Sequence, residues 1–229
     1  MEKIKKIIYG CLLLISCVLS LPTEAVYLHS LIYEVDADKT FTALPVMNDT
    51  KRSNLYTLEA WKIRKPGNGN EEVITDAGKE LLWSPLQFMT QPDGREYFKL
   101  YYRGPIDNTE RYYRVLFRET PVSVLPWRNG SRELDIFPVV AMSTLLIVRP
   151  RNAKLKYEID EANGTIRNTG NTFFRVILQK GCDGDDESSS QFYMLPGETW
   201  QGAEARKQNK KFIVAQGRYH QLGTGCFQH

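Results

Sequence analysis

Between Ile136 and Val148 the chain reads IFPVVAMSTLLIV, 13 residues with no charge and only two hydroxyls. Such a run has to be covered, and its length and residue types say how. A membrane-spanning helix needs about 20 apolar residues. Pro138, inside the run, would remove a helical hydrogen bond and clash with the preceding turn. Ile136, Val139, Val140, Thr144, Ile147 and Val148 are β-branched and suit a pleated, packed surface. The stretch from Asp135 to Pro150 is therefore read as one long strand. Strand side chains alternate between two faces, and here both faces are apolar over most of the length. One face can meet the chain's own core. The other requires a second element of the fold or a partner.

The first 25 residues read as a secretory leader: Lys3, Lys5 and Lys6 ahead of an apolar stretch, then Thr23-Glu24-Ala25 at the expected cleavage site. A lipoprotein box at Leu14–Cys17 is the alternative, but the residues after Cys17 remain apolar. Cleavage after Ala25 leaves Val26–His229. Of 30 basic and 27 acidic residues the leader takes three and two, leaving a net charge of +2. That is too mild to argue for nucleic acid or strong membrane attraction. Four cysteines are present, and Cys11 and Cys17 leave with the leader. Cys182 and Cys226 remain, and in an oxidising compartment they are expected to join; two free thiols are the alternative.

Short β-rich runs recur along the exported chain, including AVYLHSLIYEV, LYTLEAWKI, ELLWSPLQFMT, EYFKLYYR and RYYRVLFRET. Turn residues separate them at Asn48-Asp49, Lys65–Asn70, Gln91–Gly94 and Arg128–Ser131. No segment sustains a 3.6-residue apolar period. After Arg149-Pro150 the pattern restarts, with Asn163-Gly164 a hairpin signal. The fold class is therefore all-β, with an antiparallel sandwich over 26–150 and a smaller β-domain over 151–229.

No catalytic or metal-binding constellation emerges. The three histidines, His29, His220 and His229, lack zinc spacing, and there is no phosphate loop or nucleophile elbow. Neither an enzyme nor a cofactor nor a small-molecule substrate is expected. The acidic stretch Cys182–Gln191 reads as a solvated loop, with a calcium site as the alternative. Basic and tyrosine residues interleave over Tyr101–Arg118, a mixture that single-strand nucleic-acid binders also use. On an exported chain near neutrality, amphipathic covering with ion pairs is the better reading.

Those same segments carry a resemblance. YYRGPIDNTERYYRVLFRETPV, STLLIVRPR and GTIRNTGNTFFRVILQKGC resemble the periplasmic chaperones of the chaperone–usher pathway, in particular the alternate class serving common-pilus fimbriae. The resemblance implies two immunoglobulin-like sandwiches set in an L around a cleft. It also implies that the long strand is lent to an incomplete fimbrial subunit until an outer-membrane usher exchanges it. The second apolar face would then be kept for a client. A structural fimbrial subunit or tip adhesin is the alternative.

Carried over by motif, Glu110 and Arg149 would form the interdomain salt bridge. The family's third member, an aspartate, has no counterpart near Gln216-Gly217. The family's donor-strand lysine is replaced by Leu145, and the first strand holds no arginine or lysine. The anchor for a subunit's terminal carboxylate is therefore moved, replaced or missing, with Arg114 and Arg118 the candidate substitutes. Counting back from Arg149 as the family does puts the donor set at Ile136, Pro138, Val140 and Met142, with Phe137, Val139 and Ala141 inward. The opposite parity stays open, because Pro138 lacks a donor for the ladder.

Overall fold

The computed structural model describes residues 27–67, 71–122, 139–206 and 208–227. The leader, Ile136, Pro138 and the Asn129 turn lie outside them. The first half contains β1 (Tyr27–Leu28), β2 (Ile32–Val35), β3 (Phe41–Met47), β4 (Asn54–Ile63), β5 (Val73–Asp76), β6 (Leu81–Ser84), β7 (Gln87–Thr90), β8 (Arg95–Tyr102), β9 (Arg111–Pro121) and β10 (Val140–Val148). The second contains β11 (Tyr157–Asp160), β12 (Thr165–Asn168), β13 (Phe174–Leu178), β14 (Ser190–Met194), β15 (Thr199–Gln201), β16 (Lys211–Ala215) and β17 (Arg218–Gln221).

Period-two alternation builds the first sandwich. In β8, Phe98, Leu100 and Tyr102 are buried while the residues between them face water. In β4, Tyr56, Leu58 and Ala60 point inward. The sheet β1-β3-β8-β6 faces the sheet β2-β10-β9-β4-β5, on which β7 pairs with β4. In the second sandwich β11-β12-β15 faces β14-β13-β16-β17, over Ile166, Phe174, Val176, Met194 and Ile213. No described strand pairs across the two halves.

Two apolar runs break where continuous strands are expected. AVYLHSLIYEV divides into β1 and β2, which belong to opposite sheets. The Ser30 hydroxyl donates to the Ile32 carbonyl at 2.7 Å and accepts from the Ile32 N–H at 3.1 Å, a local turn between them. ELLWSPLQFMT divides at Pro85, which has no N–H to continue a ladder.

Cys182 and Cys226 form a disulfide, with Cα atoms 5.2 Å apart and a sequence separation of 44. The cross-link closes a loop over the smaller sandwich, which in the chain-entropy account contributes about 4 kcal/mol. Non-reduced protein from an oxidising compartment should have a mass two hydrogens below the dithiol; a dithiol mass would remove this staple. In the acidic loop beside Cys182, carboxylates serve local turns: Asp185 accepts from the Ser188 N–H at 3.0 Å, and Asp186 from Gln179 at 2.7 Å.

Near the far end of β9, Glu119 is 5% exposed and accepts from Asn54 Nδ2 and from the Tyr56 hydroxyl, both at 3.0 Å. Both donors are neutral. Burial raises the Glu119 pKa above its ordinary 4.5, against the Tyr56 hydrogen bond that lowers it. The folded state therefore takes up this proton before the unfolded chain does. Acidification relieves a cost that is present at neutral pH. Glu119→Gln, neutral throughout, should have its largest melting-temperature advantage over the parent at pH 7, shrinking as the pH falls towards 5. An advantage that does not change with pH would show that Glu119 is not the source.

Candidate binding cleft

β10 is sandwiched unevenly. Along its whole length it pairs antiparallel with β9, from Val140 opposite Glu119 to Val148 opposite Arg111. On its other edge β2 runs parallel, and only beside Leu145–Val148. The Leu145 N–H donates to the Leu31 carbonyl at 2.9 Å and the Arg149 N–H to the Val35 carbonyl at 3.0 Å. These odd-numbered residues aim their backbone groups at the β2 edge. By the strand's period of two, Ala141 and Ser143 aim theirs the same way, beyond the end of β2. Among the described residues, the front half of β10 thus presents a free backbone edge.

The side chains divide in the same rhythm. Leu146 and Val148 belong to the core of the first sandwich, and Met142 packs against it. Val139 is 51% exposed, and Ala141 and Ser143 are also exposed. At the root of the strand, Leu145 and Ile147 continue this outer face and pack with Phe173 and Leu195 of the second sandwich. The apolar run is doubly apolar for two reasons. Among the described residues, Thr144–Val148 are covered on both faces by the chain itself, whereas Val140–Ser143 are covered on one.

This corrects the expected facing. Val140 and Met142 belong to the inward parity, and Val139, Ala141 and Ser143 to the outward one. The physical reason is that the large side chains at even positions fill the first sandwich. Ile136 and Pro138 lie outside the described residues.

Cross-strand pairing places Arg114 beside Leu145 and Arg118 beside Ala141 on the outer face. Arg114 is not a free cation. It makes two hydrogen bonds with Glu71, one of them 2.6 Å from Nε to Oε2, and Glu71 also accepts from the Gly67 N–H at 2.9 Å. Through this contact Arg114 holds the Glu71 carboxyl below its usual range. Arg118 is more exposed, with Glu59 at 3.4 Å.

Glu110 and Arg149 meet at the junction of the sandwiches, 4.0 Å apart and both buried. Thr172 stands between them: Arg149 Nη1 donates to its hydroxyl, which donates to Glu110 Oε2 at 2.7 Å. Glu110 also accepts from the Tyr112 hydroxyl at 2.7 Å and from the Phe173 N–H at 3.0 Å. The closest carboxylate to Arg149 is Glu34 of β2, 2.6 Å from Nε. The guanidinium lies 4.4 Å from the centre of the Phe173 ring. Burial raises the Glu110 pKa, opposed by the Thr172, Tyr112 and Phe173 hydrogen bonds and the Arg149 charge.

Sequence reasoning missed Glu34 and Thr172. Glu34 is the one acid in the apolar run LIYEV, which is a signal that could have been used. Thr172 carries no such mark. Gln216, in the turn after β16, has φ +50°; it is Glu34 and Thr172 that complete the Arg149 network.

No protein-family model matches the chain. Among curated proteins it is similar to the probable fimbrial chaperone EcpE of Escherichia coli O18:K1:H7, at 36% identity over 217 residues, covering 94% of this chain and 92% of that one. It is also similar to the probable fimbrial chaperone EcpB of Klebsiella pneumoniae, at 27% identity over 174 residues, 74% of this chain and 77% of that one. Among solved structures, the periplasmic chaperone SfaE aligns with a TM-score of 0.54 at 13% identity, over 86% of this chain and 97% of that one. The SafB chaperone in complex with the Salmonella enterica SafA pilin gives a TM-score of 0.53 at 16% identity, over 89% and 99%. At such identities the structural likeness speaks for the fold, two immunoglobulin-like sandwiches. The sequence likeness speaks for the family: the chain belongs to the EcpE-type fimbrial chaperones, which are not enzymes.

Proposed function

We propose that this protein works in the periplasm, holding fimbrial subunits by donor-strand complementation and passing them to an outer-membrane usher. The observation that carries the reading is the half-paired β10. Its free edge at Ala141 and Ser143 offers main-chain groups to an added strand, and its outer face opens into the cleft between the sandwiches. Added strands gain affinity from main-chain bonds and specificity from alternate side chains. Val139, Ala141 and Ser143 are then the donor side chains, with Leu145 and Ile147 at their root. A structural subunit would lack a strand and need one supplied. Here β10 fills the first sandwich from within the chain, and that favours the lender over the borrower.

A leader cleaved near Ala25 would deliver the chain to the compartment where the disulfide forms. The test is co-expression in the periplasm with a fimbrial subunit from the same organism, followed by purification on a tag carried by the chaperone. A one-to-one complex is expected. Its absence, with both proteins exported and folded, overturns the reading.

A further inference from the structure

The cleft narrows at the root of β10 into a pocket whose walls come from both sandwiches. Leu31 and Leu145 form one side, and Phe173, Phe192 and Tyr193 the other. Leu31 is 62% exposed and Tyr193 49%, so large apolar groups stand open to solvent around this opening. Both charged residues in the wall are already paired within the chain. Arg114 is engaged by Glu71, and Glu198 by Lys65 and by the Leu195 N–H at 2.7 Å.

A strand added at the free edge of β10 can run along Ala141 and Ser143, but at Leu145 the edge is taken by the Leu31 carbonyl. The added strand must therefore end or turn at this level, directly over the pocket. We infer that the pocket receives a large uncharged apolar side chain, of leucine or phenylalanine size, from the end of the client's paired segment. The Arg114–Glu71 pair stays closed and binds no client carboxylate. This inference rests on the donor-strand reading above.

An apolar guest and a carboxylate respond oppositely to a new cation in the wall. The protein is co-purified with a fimbrial subunit from the same organism, and affinity is then measured by competition between parent and variants. Tyr193→Lys should weaken binding about tenfold, the scale of leaving one such side chain unburied, whereas Tyr193→Phe should retain it. The double variant Glu71→Met with Arg114→Met removes the ion pair without leaving either charge alone, and binding should stay within about threefold of the parent, under one kcal/mol.

Tighter binding by Tyr193→Lys, or a loss of about tenfold or more in the double variant, would assign the pocket to a carboxylate and overturn the inference. Unchanged binding by Tyr193→Lys would overturn it too. If Tyr193→Lys fails to fold alone, Leu31→Lys on the opposite wall makes the same measurement. A parent that forms no complex defeats the donor-strand reading itself, which is a different result from a complex indifferent to these substitutions.

Discussion

Arg149→Ala is expected to lower the melting temperature of the free protein by about 10 °C at pH 7. The change leaves Glu110 buried with its charge uncompensated, and breaking one side of a buried pair costs about 3–5 kcal/mol. For a chain of this size each kcal/mol is worth about 2–4 °C. Removing the guanidinium also takes its hydrogen bonds from Glu34 and Thr172 and its packing from Phe173. Because the Arg149 contacts join β2, Glu110 just before β9 and the segment before β13, the orientation of the two sandwiches should loosen and subunit binding should fall with it.

The pH dependence gives the sign. The folded-state pKa of Glu110 is already raised by burial, and losing a neighbouring cation raises it further. Protonation then relieves the orphaned charge, so the deficit of the variant should be smaller at pH 5 than at pH 7. Melting curves at the two pH values check both statements. A variant within about 2 °C of the parent at pH 7, under about one kcal/mol, would deny the network a structural role.

The second large effect is an asymmetry between neighbours on β10. Met142→Asp should destabilise the free protein by several kcal/mol, because it drives a charge against the core of the first sandwich. Ala141→Asp, one residue away on the exposed face, should change the stability of the free protein by less than about 0.5 kcal/mol. It should nevertheless reduce subunit recovery by about tenfold or more, since the carboxylate, even with Arg118 across from it, would have to be desolvated in an apolar groove. Periplasmic yield and co-purification of the two variants decide the facing. A folded Met142→Asp protein that cannot hold a subunit, beside an unfolded Ala141→Asp protein, would restore the even-numbered donor set.

That facing shows where sequence reasoning lost its grip. Alternation in EYFKLYYR and LYTLEAWKI marks buried against exposed positions, and β8 and β4 follow it. In Val140–Val148 both parities are apolar, so there is no alternation to read. Counting back from Arg149 lands on the even positions as donors, but Met142, Leu146 and Val148 fill their own sandwich. Ala141 and Ser143 are small and unremarkable, yet they hold the outer face at the free edge. The cysteine pair was legible because Cys182 and Cys226 are the only two cysteines after residue 25. The junction was half legible: Glu110 and Arg149 stand in recognisable motifs, whereas Glu34 and Thr172 reach the same point from distant segments. Their proximity depends on the parallel placement of β2 beside β10 and on the docking of the second sandwich. Likewise, Arg114 reads as a free cation until the chain brings Glu71 to it across 43 positions.

In the proposed function, the front half of β10 lends its free edge to a client strand. Backbone hydrogen exchange in the free protein and in the subunit complex reads this edge residue by residue. The Ala141 and Ser143 amides should exchange readily in the free protein and become strongly protected in the complex. The amides of Leu145 and Arg149, already bonded to the carbonyls of Leu31 and Val35, should be protected in both. A complex in which Ala141 and Ser143 exchange as they do in the free protein would contradict donor-strand complementation by this strand.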